Sequence, residues 1–411
     1  MTPEIRFKGY TQDWEQRKLE TLVSRVKSYS LSRDVETLEH SEYRYVHYGD
    51  IHTKLADVID ESSLLPSIKP GNYELLDKYD LILADASEDY QGIATPAVVT
   101  ISPSYKLVAG LHTIALRPIS VDSIYLYYIF NSRNFRKHGY RVGTGMKVFG
   151  ISVSNVLNFE GRFPSIDEQH RVGKFLKKID ETIALHQEKL EKLIQLKKGY
   201  LHALFPQKEE KVPRLRFANF STDWEQRKLK DISEKSIEKN KNALYTETFT
   251  NSAEFGIVSQ NDYFDKKISN QNNINGYYIV HPDDFVYNPR ISNFAPVGPI
   301  KRNNLGRTGV MSPLYYVFKT MDIYNLYLEK YFATTHWHNF MKLNGDSGAR
   351  ADRFAIKDSV LKEMPIPYPS NDEQIKIGNF LKKLDNTILL QKKKVLSLQE
   401  IKKVYLKKIF A

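Results

Sequence analysis

Residues 165–205 read SIDEQHRVGKFLKKIDETIALHQEKLEKLIQLKKGYLHALF, and residues 370–410 read SNDEQIKIGNFLKKLDNTILLQKKKVLSLQEIKKVYLKKIF. These stretches are identical at 20 of 41 positions. A second pair lies upstream of them: residues 6–19 read RFKGYTQDWEQRKL and residues 216–229 read RFANFSTDWEQRKL, identical at 9 of 14 positions. Because two separate segments recur in the same order, the chain contains an internal repeat, with differing residues between the recurring segments.

Each longer stretch is predicted to be one long helix. Ser165 and Ser370 are candidate N-caps, and the Asp-Glu-Gln that follows places carboxylates in the first turn, where the helix dipole favours them. Apolar residues then recur at alternating spacings of three and four, which is typical of a coiled-coil seam. The seam consists of Leu176, Ile179, Ile183, Leu190, Leu193 and Tyr200 in the first copy and Leu381, Leu384, Ile388, Val395, Leu398 and Tyr405 in the second.

A second apolar line lies beside each seam. One pair of helices cannot bury both lines, so these residues either pack on their own domain or form a docking surface for another protein. The candidate docking residues are Phe175, Leu185, Leu196, Leu201, Phe380, Leu390, Ile401 and Leu406.

The repeat predicts five parts. These are a globular domain at residues 1–164, a spacer helix at 165–205, a charged linker bracketed by prolines at 206–213, a second globular domain at 214–369 and a second spacer helix at 370–411. Strand-like runs alternate with helical patches in the globular parts, so the predicted fold class is mixed α/β. We expect two copies of this domain, related by an internal pseudo-two-fold repeat and separated by long helices packed as an antiparallel coiled coil.

Composition limits the partners and the compartment. Among the 411 residues, 60 Lys and Arg against 49 Asp and Glu give a net charge of +11, which favours nucleic acid because basic surface binds phosphate by releasing counterions. Cysteine is absent, which excludes disulfide scaffolds, Cys-ligated zinc and a Cys nucleophile and fits a reducing cytosol. No apolar run approaches the roughly 20 residues of a membrane span. We therefore expect a soluble, cytoplasmic protein that does not contact membranes.

Motifs for catalysis are missing from the sequence. It has neither a phosphate-binding P-loop nor the glycine pattern of dinucleotide-binding folds. Asn288-Pro289-Arg290-Ile291 comes nearest to the Asn-Pro-Pro-aromatic motif of amino-methyltransferases, but it has Arg at the second Pro. His336-Trp337-His338 offers two metal ligands without a carboxylate at ligand spacing, which favours histidines packed on a helix. We expect no catalytic residue, no cofactor and no metal in this chain.

Each half instead carries basic stretches without acidic residues, at 131–150 in the first half and at 288–311 in the second, and the loop 342–353 adds further cations. Arg and Lys read guanine, Asn reads adenine, and other cations hold phosphates. A solvated basic loop is the alternative for any one stretch, but basic stretches in both halves favour contact with double-stranded DNA. The candidates are Arg133, Arg136, Lys137, Arg141, Thr144, Lys147, Asn288, Arg290, Asn293, Lys301, Arg302, Arg307, Asn344, Arg350 and Arg353.

Two different basic domains held apart by similar helices predict a protein that reads two different short sequences at a fixed spacing. This layout resembles the specificity subunit of type I restriction–modification enzymes, and the resemblance spans essentially the whole chain. It rests on three duplicated motifs: Asp-Trp-Glu from Asp13 and Asp223, Asp-Glu-Gln from Asp167 and Asp372, and Phe-Leu-Lys-Lys from Phe175 and Phe380.

The resemblance implies a non-catalytic subunit with two target-recognition domains, each of which reads one half of a bipartite, asymmetric DNA site. It also implies spacer helices that dock two methyltransferase subunits, with restriction subunits joining them. S-adenosylmethionine, ATP and Mg²⁺ would be used by those partners. Three alternatives stay open: a stand-alone sequence-specific DNA-binding regulator, a DNA methyltransferase or nuclease with unrecognised motifs, and a coiled-coil scaffold that binds DNA without sequence preference.

Overall fold

The computed structural model describes residues 3–39, 41–55, 57–89, 92–102, 104–207, 210–263, 271–346 and 352–410. Contacts divide the chain into two compact units: unit 1 comprises Met1–Glu188 and Lys393–Ala411, and unit 2 comprises Lys189–Lys392. Each unit therefore contains one globular part, the start of the long helix that follows it, and the end of the other long helix. The five-part division predicted from the sequence assigned each long helix to a part of its own.

Unit 1 is built on a five-stranded sheet. In chain order its described strands are β1 (Glu15–Lys18), β2 (Val23–Val26), β3 (Tyr43–Val46), β4 (Val58–Ile59), β5 (Ser67–Ile68), β6 (Leu81–Ala84), β7 (Ala86–Ser87), β8 (Pro96–Val99), β9 (Lys106–Ala109), β10 (Thr113–Pro118), β11 (Phe149–Gly150) and β12 (Glu160–Phe163). The five-stranded sheet has the order β2-β10-β6-β8-β4, a second sheet has the order β5-β3-β9, and β1 pairs with β12 and β7 with β11.

Helices lie on both faces of the five-stranded sheet. The helices of the described chain up to residue 207 are α1 (Tyr48–His52), α2 (Ser123–Phe130), α3 (Arg133–Val142), α4 (Val153–Leu157) and α5 (Ile166–Ala203). Strand β6 is buried along its whole length because its residues alternate between two cores. Leu81 and Leu83 pack with α2 and the start of α5, and Ile82 and Ala84 pack in a second cluster on the other face.

Unit 2 repeats this plan with shorter strands. Its described strands are β13 (Glu225–Lys228), β14 (Ser233–Lys235), β15 (Phe249–Ser252), β16 (Gly256–Ser259), β17 (Tyr278–Val280), β18 (Phe285–Tyr287), β19 (Ile300–Arg302), β20 (Gly309–Met311), β21 (Tyr316–Thr320) and β22 (Pro365–Tyr368). Its remaining helices are α6 (Gln260–Tyr263), α7 (Asn325–Phe332), α8 (His338–Asn344), α9 (Asp358–Leu361) and α10 (Asn371–Ile409). The main sheet has the order β14-β21-β18-β19.

The two units share one framework although their globular sequences differ. Strand β1 pairs antiparallel with β12, as β13 pairs with β22. The strand order β2-β10-β6-β8 of unit 1 corresponds to β14-β21-β18-β19 of unit 2. Helices α7, α8 and α9 occupy the same places in the chain order of unit 2 as α2, α3 and α4 do in unit 1. The predicted fold class, two copies of a mixed α/β domain with two long helices, is confirmed.

A buried ion pair joins the duplicated segments in each unit. Both oxygens of the Glu168 carboxylate accept from the Arg6 guanidinium, each at 2.7 Å. Arg216 donates to Glu373 in the same way, at 2.7 and 2.8 Å. The two glutamate side chains are only 1% exposed. The Glu of each Asp-Glu-Gln motif is therefore an internal anchor for the N-terminal segment of its domain.

The Gln of each Asp-Glu-Gln motif connects the long helix to the helix packed against it. Gln169 Oε1 accepts from the backbone N–H of Asp122, just before α2, at 2.9 Å, and its Nε2 donates to the Pro164 carbonyl at 2.8 Å. Gln374 makes the same two bonds in unit 2, at 2.9 and 3.0 Å, beside the start of α7. Both amides are buried and satisfied at each end, so they fix the long helix against its own domain.

In unit 1, the start of α5 packs antiparallel against the end of α10. The Phe175 and Tyr405 rings meet edge to face with centroids 4.9 Å apart, and further along α5 Asp180 binds the Lys402 ammonium at 2.6 Å. The seam positions of this unit are all buried or partly buried. They are Leu176, Ile179, Ile183, Val395, Leu398 and Tyr405.

In unit 2, the start of α10 packs antiparallel against the end of α5 through the equivalent contacts. Phe380 meets Tyr200 edge to face at 4.9 Å, and Asp385 binds the Lys197 ammonium at 2.5 Å. The seam positions of this unit are again buried or partly buried. They are Leu190, Leu193, Tyr200, Leu381, Leu384 and Ile388.

Candidate nucleic-acid interface

Helix α3 of unit 1 presents a row of cations. Ser132 caps the helix by accepting from the Phe135 N–H, and the Phe135 side chain is buried in the core. Arg133, Lys137 and Arg141 are exposed and follow one another at intervals of four residues, so they lie on one face. None of the three makes an ion pair with any described residue. The row spans about 12 Å along the helix, given a rise of about 1.5 Å per residue.

Arg136 belongs to the interior of unit 1 rather than to this row. Its Nη1 donates to the carbonyl of Ile93, a buried residue shortly before β8. Burial lowers the pKa of Arg136. Because the guanidinium is bound to the backbone of a buried residue, Arg136 is withdrawn as a DNA contact.

A tight hairpin follows α3. The backbone groups of Thr144 and Gly150 exchange two hydrogen bonds, of 3.0 and 2.8 Å, and β11 then pairs with β7. Gly145 has a φ of +133°, and a Cβ there would lie 1.9 Å from the Val148 carbonyl oxygen, so this turn needs glycine. Thr144 and Lys147 are exposed on the hairpin and remain candidate DNA contacts.

The structure brings together two basic loops of unit 2 that are far apart in sequence. Arg290 and Arg353 are partners in an antiparallel β-bridge, and the backbone bonds Ile291 N–H to Asp352 O and Phe354 N–H to Pro289 O flank it at 3.0 and 2.7 Å. Neither arginine makes an ion pair within the described ranges. Asn293 is exposed on the same segment. Arg290, Asn293 and Arg353 therefore form one surface, defined here as the unit 2 tip together with Phe294.

Three other cations of the second basic stretch lie away from the unit 2 tip, since β19 runs antiparallel to β18 and places Lys301 opposite Val286 and Arg302 opposite Phe285. Arg302 binds Glu329 at 2.6 Å, and Arg307 donates to both oxygens of Glu247 at 2.8 and 2.7 Å. Burial lowers the pKa of Lys301. A guanidinium already held by carboxylates has few donors left for phosphate. Arg302 and Arg307 are therefore withdrawn as DNA contacts, and so is Lys301, whose side chain is partly buried in β19.

The predicted asparagines differ in their surroundings. Asn288 is structural, because its Nδ2 donates to the Asn251 carbonyl at 2.8 Å and its Oδ1 accepts from the Arg290 N–H at 3.0 Å. Asn344 is exposed at the end of α8, where its Nδ2 donates to the Phe340 carbonyl. Asn344 remains a candidate, and Arg350 lies outside the described residues.

The predicted docking residues separate into two groups. Phe175, Leu201, Phe380 and Leu406 are partly buried and pack against the cores of their own units, so these four are not free docking residues. Leu185 is 64% exposed and Leu390 67%, and Leu196 and Ile401 are also exposed. The exposed surface of this second apolar line therefore consists of these last four residues.

Exposed apolar side chains also lie on these basic loops, and charge alone does not indicate them. Met146, on the hairpin of unit 1, is 95% exposed, and Phe294, in the unit 2 tip, is 77% exposed. Each lies within four residues of a cation on the same loop: Lys147 beside Met146 and Arg290 beside Phe294. For Phe294 the sequence does contain a signal: an aromatic residue that follows an asparagine, in a segment that lies between two prolines.

Neither a metal-binding cluster nor a membrane-spanning helix occurs among the described residues. They contain no group of three or more His, Cys, Asp or Glu side chains that could hold a metal ion. In the same part of the chain, no helix is both long and apolar enough to cross a membrane.

The histidines of the His-Trp-His segment make unit 2 sensitive to acid. Burial, assisted by the charge of Lys342, lowers the pKa of His338 to about 4. The unfolded chain has the ordinary histidine pKa of about 6.5, so it binds this proton first as the pH falls. The stability that neutral His338 contributes to unit 2 is therefore fully present above pH 6.5 and is lost progressively as the pH falls towards 4. Between pH 8 and pH 5, wild type should lose about 1–2 kcal/mol more unfolding free energy than His338→Gln, as measured by urea denaturation. Equal losses would contradict the lowered pKa.

Comparison with known proteins agrees with the duplicated framework. The sequence matches the family described as the type I restriction modification DNA specificity domain over residues 11–195 and again over 221–400. The putative type I restriction enzyme MjaX specificity subunit of Methanocaldococcus jannaschii is 24% identical over 435 residues, which cover 95% of this chain and 91% of that protein. The MjaVIII specificity subunit of the same organism is 23% identical over 296 residues, 69% of this chain and 68% of that protein.

Solved structures agree on the fold. The S subunit of a type I restriction–modification system from M. genitalium covers 100% of this chain and 99% of its own length, with a TM-score of 0.58 and 16% identity. A chain from a structural study of complex assembly and conformational transition of the type I R-M system covers 98% of this chain and 99% of its own length, with a TM-score of 0.55 and 14% identity. The resemblance indicated by the duplicated motifs is confirmed. Because the family match occurs twice and covers most of the chain, this protein belongs to the family of type I restriction–modification DNA specificity subunits.

Proposed function

We propose that this chain is the DNA sequence-specificity subunit of a type I restriction–modification complex and has no catalytic activity of its own. One observation carries the proposal: the same framework occurs twice, and the two copies present different cations, from helix α3 and the hairpin after it in unit 1 and from two β-bridged loops in unit 2. A protein built in this way reads two different half-sites, one per unit. The recognised site is therefore bipartite and asymmetric.

Unit 1 holds DNA through phosphates. Its cation row, Arg133, Lys137 and Arg141, projects from one face of α3 without carboxylate partners among the described residues. B-DNA carries one charge per about 1.7 Å of helix axis, so a row of about 12 Å faces several phosphates. Thr144 and Lys147 lie on the hairpin that follows and are the candidates for base contact in this half-site.

Unit 2 reads bases through its tip. An arginine donates to both acceptors of guanine and an asparagine pairs with adenine in the major groove. Arg290, Arg353 and Asn293 supply these groups from two paired segments, whose backbone bonds fix the direction in which the side chains leave.

The partners follow from the remaining surface. The long helices carry two exposed apolar side chains in each unit, Leu185 and Ile401 in unit 1 and Leu196 and Leu390 in unit 2. Two methyltransferase subunits dock there in our proposal, with restriction subunits completing the nuclease. S-adenosylmethionine, ATP and Mg²⁺ belong to those partners. The long helices act as the spacer between the two half-site readers.

Removal of one phosphate contact should weaken binding to every DNA sequence alike. We expect Lys137→Ala to reduce the slope of log affinity against log salt by about 0.9, because one fewer counterion is released. Lys178→Ala is the matched control, since Lys178 is exposed on α5 and paired with Glu181. The slopes for wild type and both variants are obtained from DNA affinities measured at several salt concentrations. A loss confined to one base position would make Lys137 a base reader instead.

Selection from random DNA tests the proposed function. The chain, co-expressed with the methyltransferase encoded beside it, should enrich one motif with two unlike halves at a fixed distance. Enrichment of the same motif by the chain alone, with no methyltransferase bound, would favour a stand-alone regulator. Binding of S-adenosylmethionine by the isolated chain would favour an enzyme, and enrichment of no motif would favour a scaffold.

A further inference from the structure

We propose that Phe294 contacts the C5 methyl group of a thymine in the half-site read by unit 2. This inference rests on the proposed function and adds a specificity-determining residue to it. The ligand is a base pair of double-stranded DNA, recognised through an apolar group rather than through charge.

The backbone presents Phe294 at the end of a rigid support. Ser292 and Ala295 exchange two backbone hydrogen bonds, of 3.1 and 3.0 Å, so Asn293 and Phe294 form a two-residue hairpin turn. Gly298 closes the base of the loop with a φ of +80°, and a Cβ there would lie 2.1 Å from the Asn288 carbonyl oxygen. The loop cannot fold back over the Phe294 ring without breaking these contacts.

Phe294 is the most exposed aromatic side chain among the described residues of unit 2, ahead of Phe255 at 62%. Its ring is 77% exposed, whereas Phe285, Phe318 and Phe332 of the same unit are buried in one cluster. A large apolar side chain on a constrained turn gains stability when a ligand removes it from water. The ring therefore contributes little to the core, and what distinguishes it from Phe255 is its position beside Arg290 and Arg353.

The surroundings of Phe294 define that ligand. Arg290 and Arg353 are direct β-bridge partners, and like charges in that arrangement repel each other. No carboxylate among the described residues pairs with either of them. A ligand that fits this tip must therefore bring negative charge to the arginines and an apolar group to the phenylalanine. Double-stranded DNA supplies both.

The shape of the tip selects the major groove. The tip is a short pair of backbone segments, 289–291 with 352–354, and an element of two paired segments enters the major groove, which is about 12 Å wide, more readily than the minor groove, which is about 6 Å wide. The thymine methyl is the apolar group that base pairs display in the major groove. Asn293, next in sequence, has the side chain that pairs with adenine N6 and N7 there. Asn293 therefore suits the adenine of an A·T pair and Phe294 suits the methyl group of the thymine.

A cycle of protein and DNA changes tests the inference with the complete methyltransferase complex and its own selected site. Each thymine of the unit 2 half-site is replaced in turn by uracil, which lacks only the methyl group. Wild type should lose about fourfold in affinity at one position, the equivalent of one buried methyl group. Phe294→Ala should bind the thymine site about tenfold more weakly and should not distinguish thymine from uracil at that position.

The controls separate the possible failures. Met321→Ala removes an exposed apolar side chain from the opposite end of the same sheet and should behave as wild type. Affinity of Phe294→Ala for unrelated DNA should stay unchanged. If Phe294→Ala binds its site normally, responds to uracil as wild type does, or loses only its methyltransferase, the inference is wrong. If wild type itself prefers no sequence, the proposed function fails.

Discussion

Replacement of Arg6 by Met should destabilise unit 1 by about 3–5 kcal/mol, because it leaves a buried carboxylate without its counter-ion. Glu168 is 1% exposed and has no other side-chain donor among the described residues. The Trp14 Nε1–H, which is also buried in this unit, makes no hydrogen bond there. Urea denaturation, followed by tryptophan fluorescence, measures the loss.

Three comparisons make this prediction specific. Arg25→Met removes an exposed arginine from β2 and should cost less than about 0.5 kcal/mol. Arg6→Met combined with Glu168→Met should recover most of the loss, because no charge is then left buried. Arg216→Met should cost less than Arg6→Met, since Glu373 keeps a bond of 3.1 Å from Trp224 Nε1. A loss below about 1 kcal/mol for Arg6→Met would contradict the anchoring role.

Replacement of Asp385 by Asn should destabilise unit 2 by about 2–4 kcal/mol. Asp385 accepts from Lys197 at 2.5 Å and from Lys330 at 2.9 Å, and the Lys330 side chain is only 9% exposed. Burial opposes ionisation of Asp385, but the hydrogen bonds from the two lysines outweigh it and lower the pKa of this carboxyl. Its neutral replacement leaves a buried ammonium with Glu329 alone.

The control for Asp385→Asn lies on the same helix. Glu400 pairs with Lys403 on the surface, and both side chains are at least 70% exposed, so Glu400→Gln should cost less than about 0.5 kcal/mol. The equivalent change in unit 1, Asp180→Asn, removes the partner of Lys402 and of the Tyr128 hydroxyl and should destabilise that unit instead. Equal unfolding free energies for Asp385→Asn and Glu400→Gln would show that the ion pair of Asp385 with Lys197 does not hold α10 against α5.

Local sequence patterns were sufficient for the helices. The spacing of three and four depends only on neighbouring residues, and every seam residue predicted from it is at least partly buried. The pattern contained no information on which domain each part of a helix joins. That depends on long-range contacts such as Tyr200 with Phe380 and Phe175 with Tyr405, which the sequence places 180 or more residues apart.

The duplicated motifs were found from the sequence, but their roles were not. Asp-Glu-Gln reads as a helix start, and both Glu and Gln are in fact buried bonding groups whose partners lie in distant segments. Likewise, Phe175 and Phe380 were predicted to be docking residues because helical periodicity does not show which other segment of the chain packs on them. Phe7 and Phe217, from the other duplicated segment, cover them, each with ring centroids 5.7 Å apart.

The candidate DNA contacts were predicted least well, because the burial and ion pairing of a cation depend on residues that are far away in the sequence. Counting cations treats Arg133 and Arg136 alike, although a shift of three residues on α3 turns one outward and the other towards Ile93. The acids that neutralise Arg302 and Arg307 lie 27 and 60 residues away, outside any local window. Only the fold shows that Arg290 and Arg353 are neighbours.

Methylation mapping tests the central claim most directly. The chain is expressed with its neighbouring methyltransferase in a host that lacks other methylation, and modified adenines are located across the genome. We expect co-purification of the methyltransferase and adenine methylation at one two-part, asymmetric motif with a fixed spacing. Arg290→Ala with Arg353→Ala should relax one half of that motif and leave the other half unchanged. Methylation at a single uninterrupted motif, or loss of both halves in the double variant, would contradict independent reading by two units.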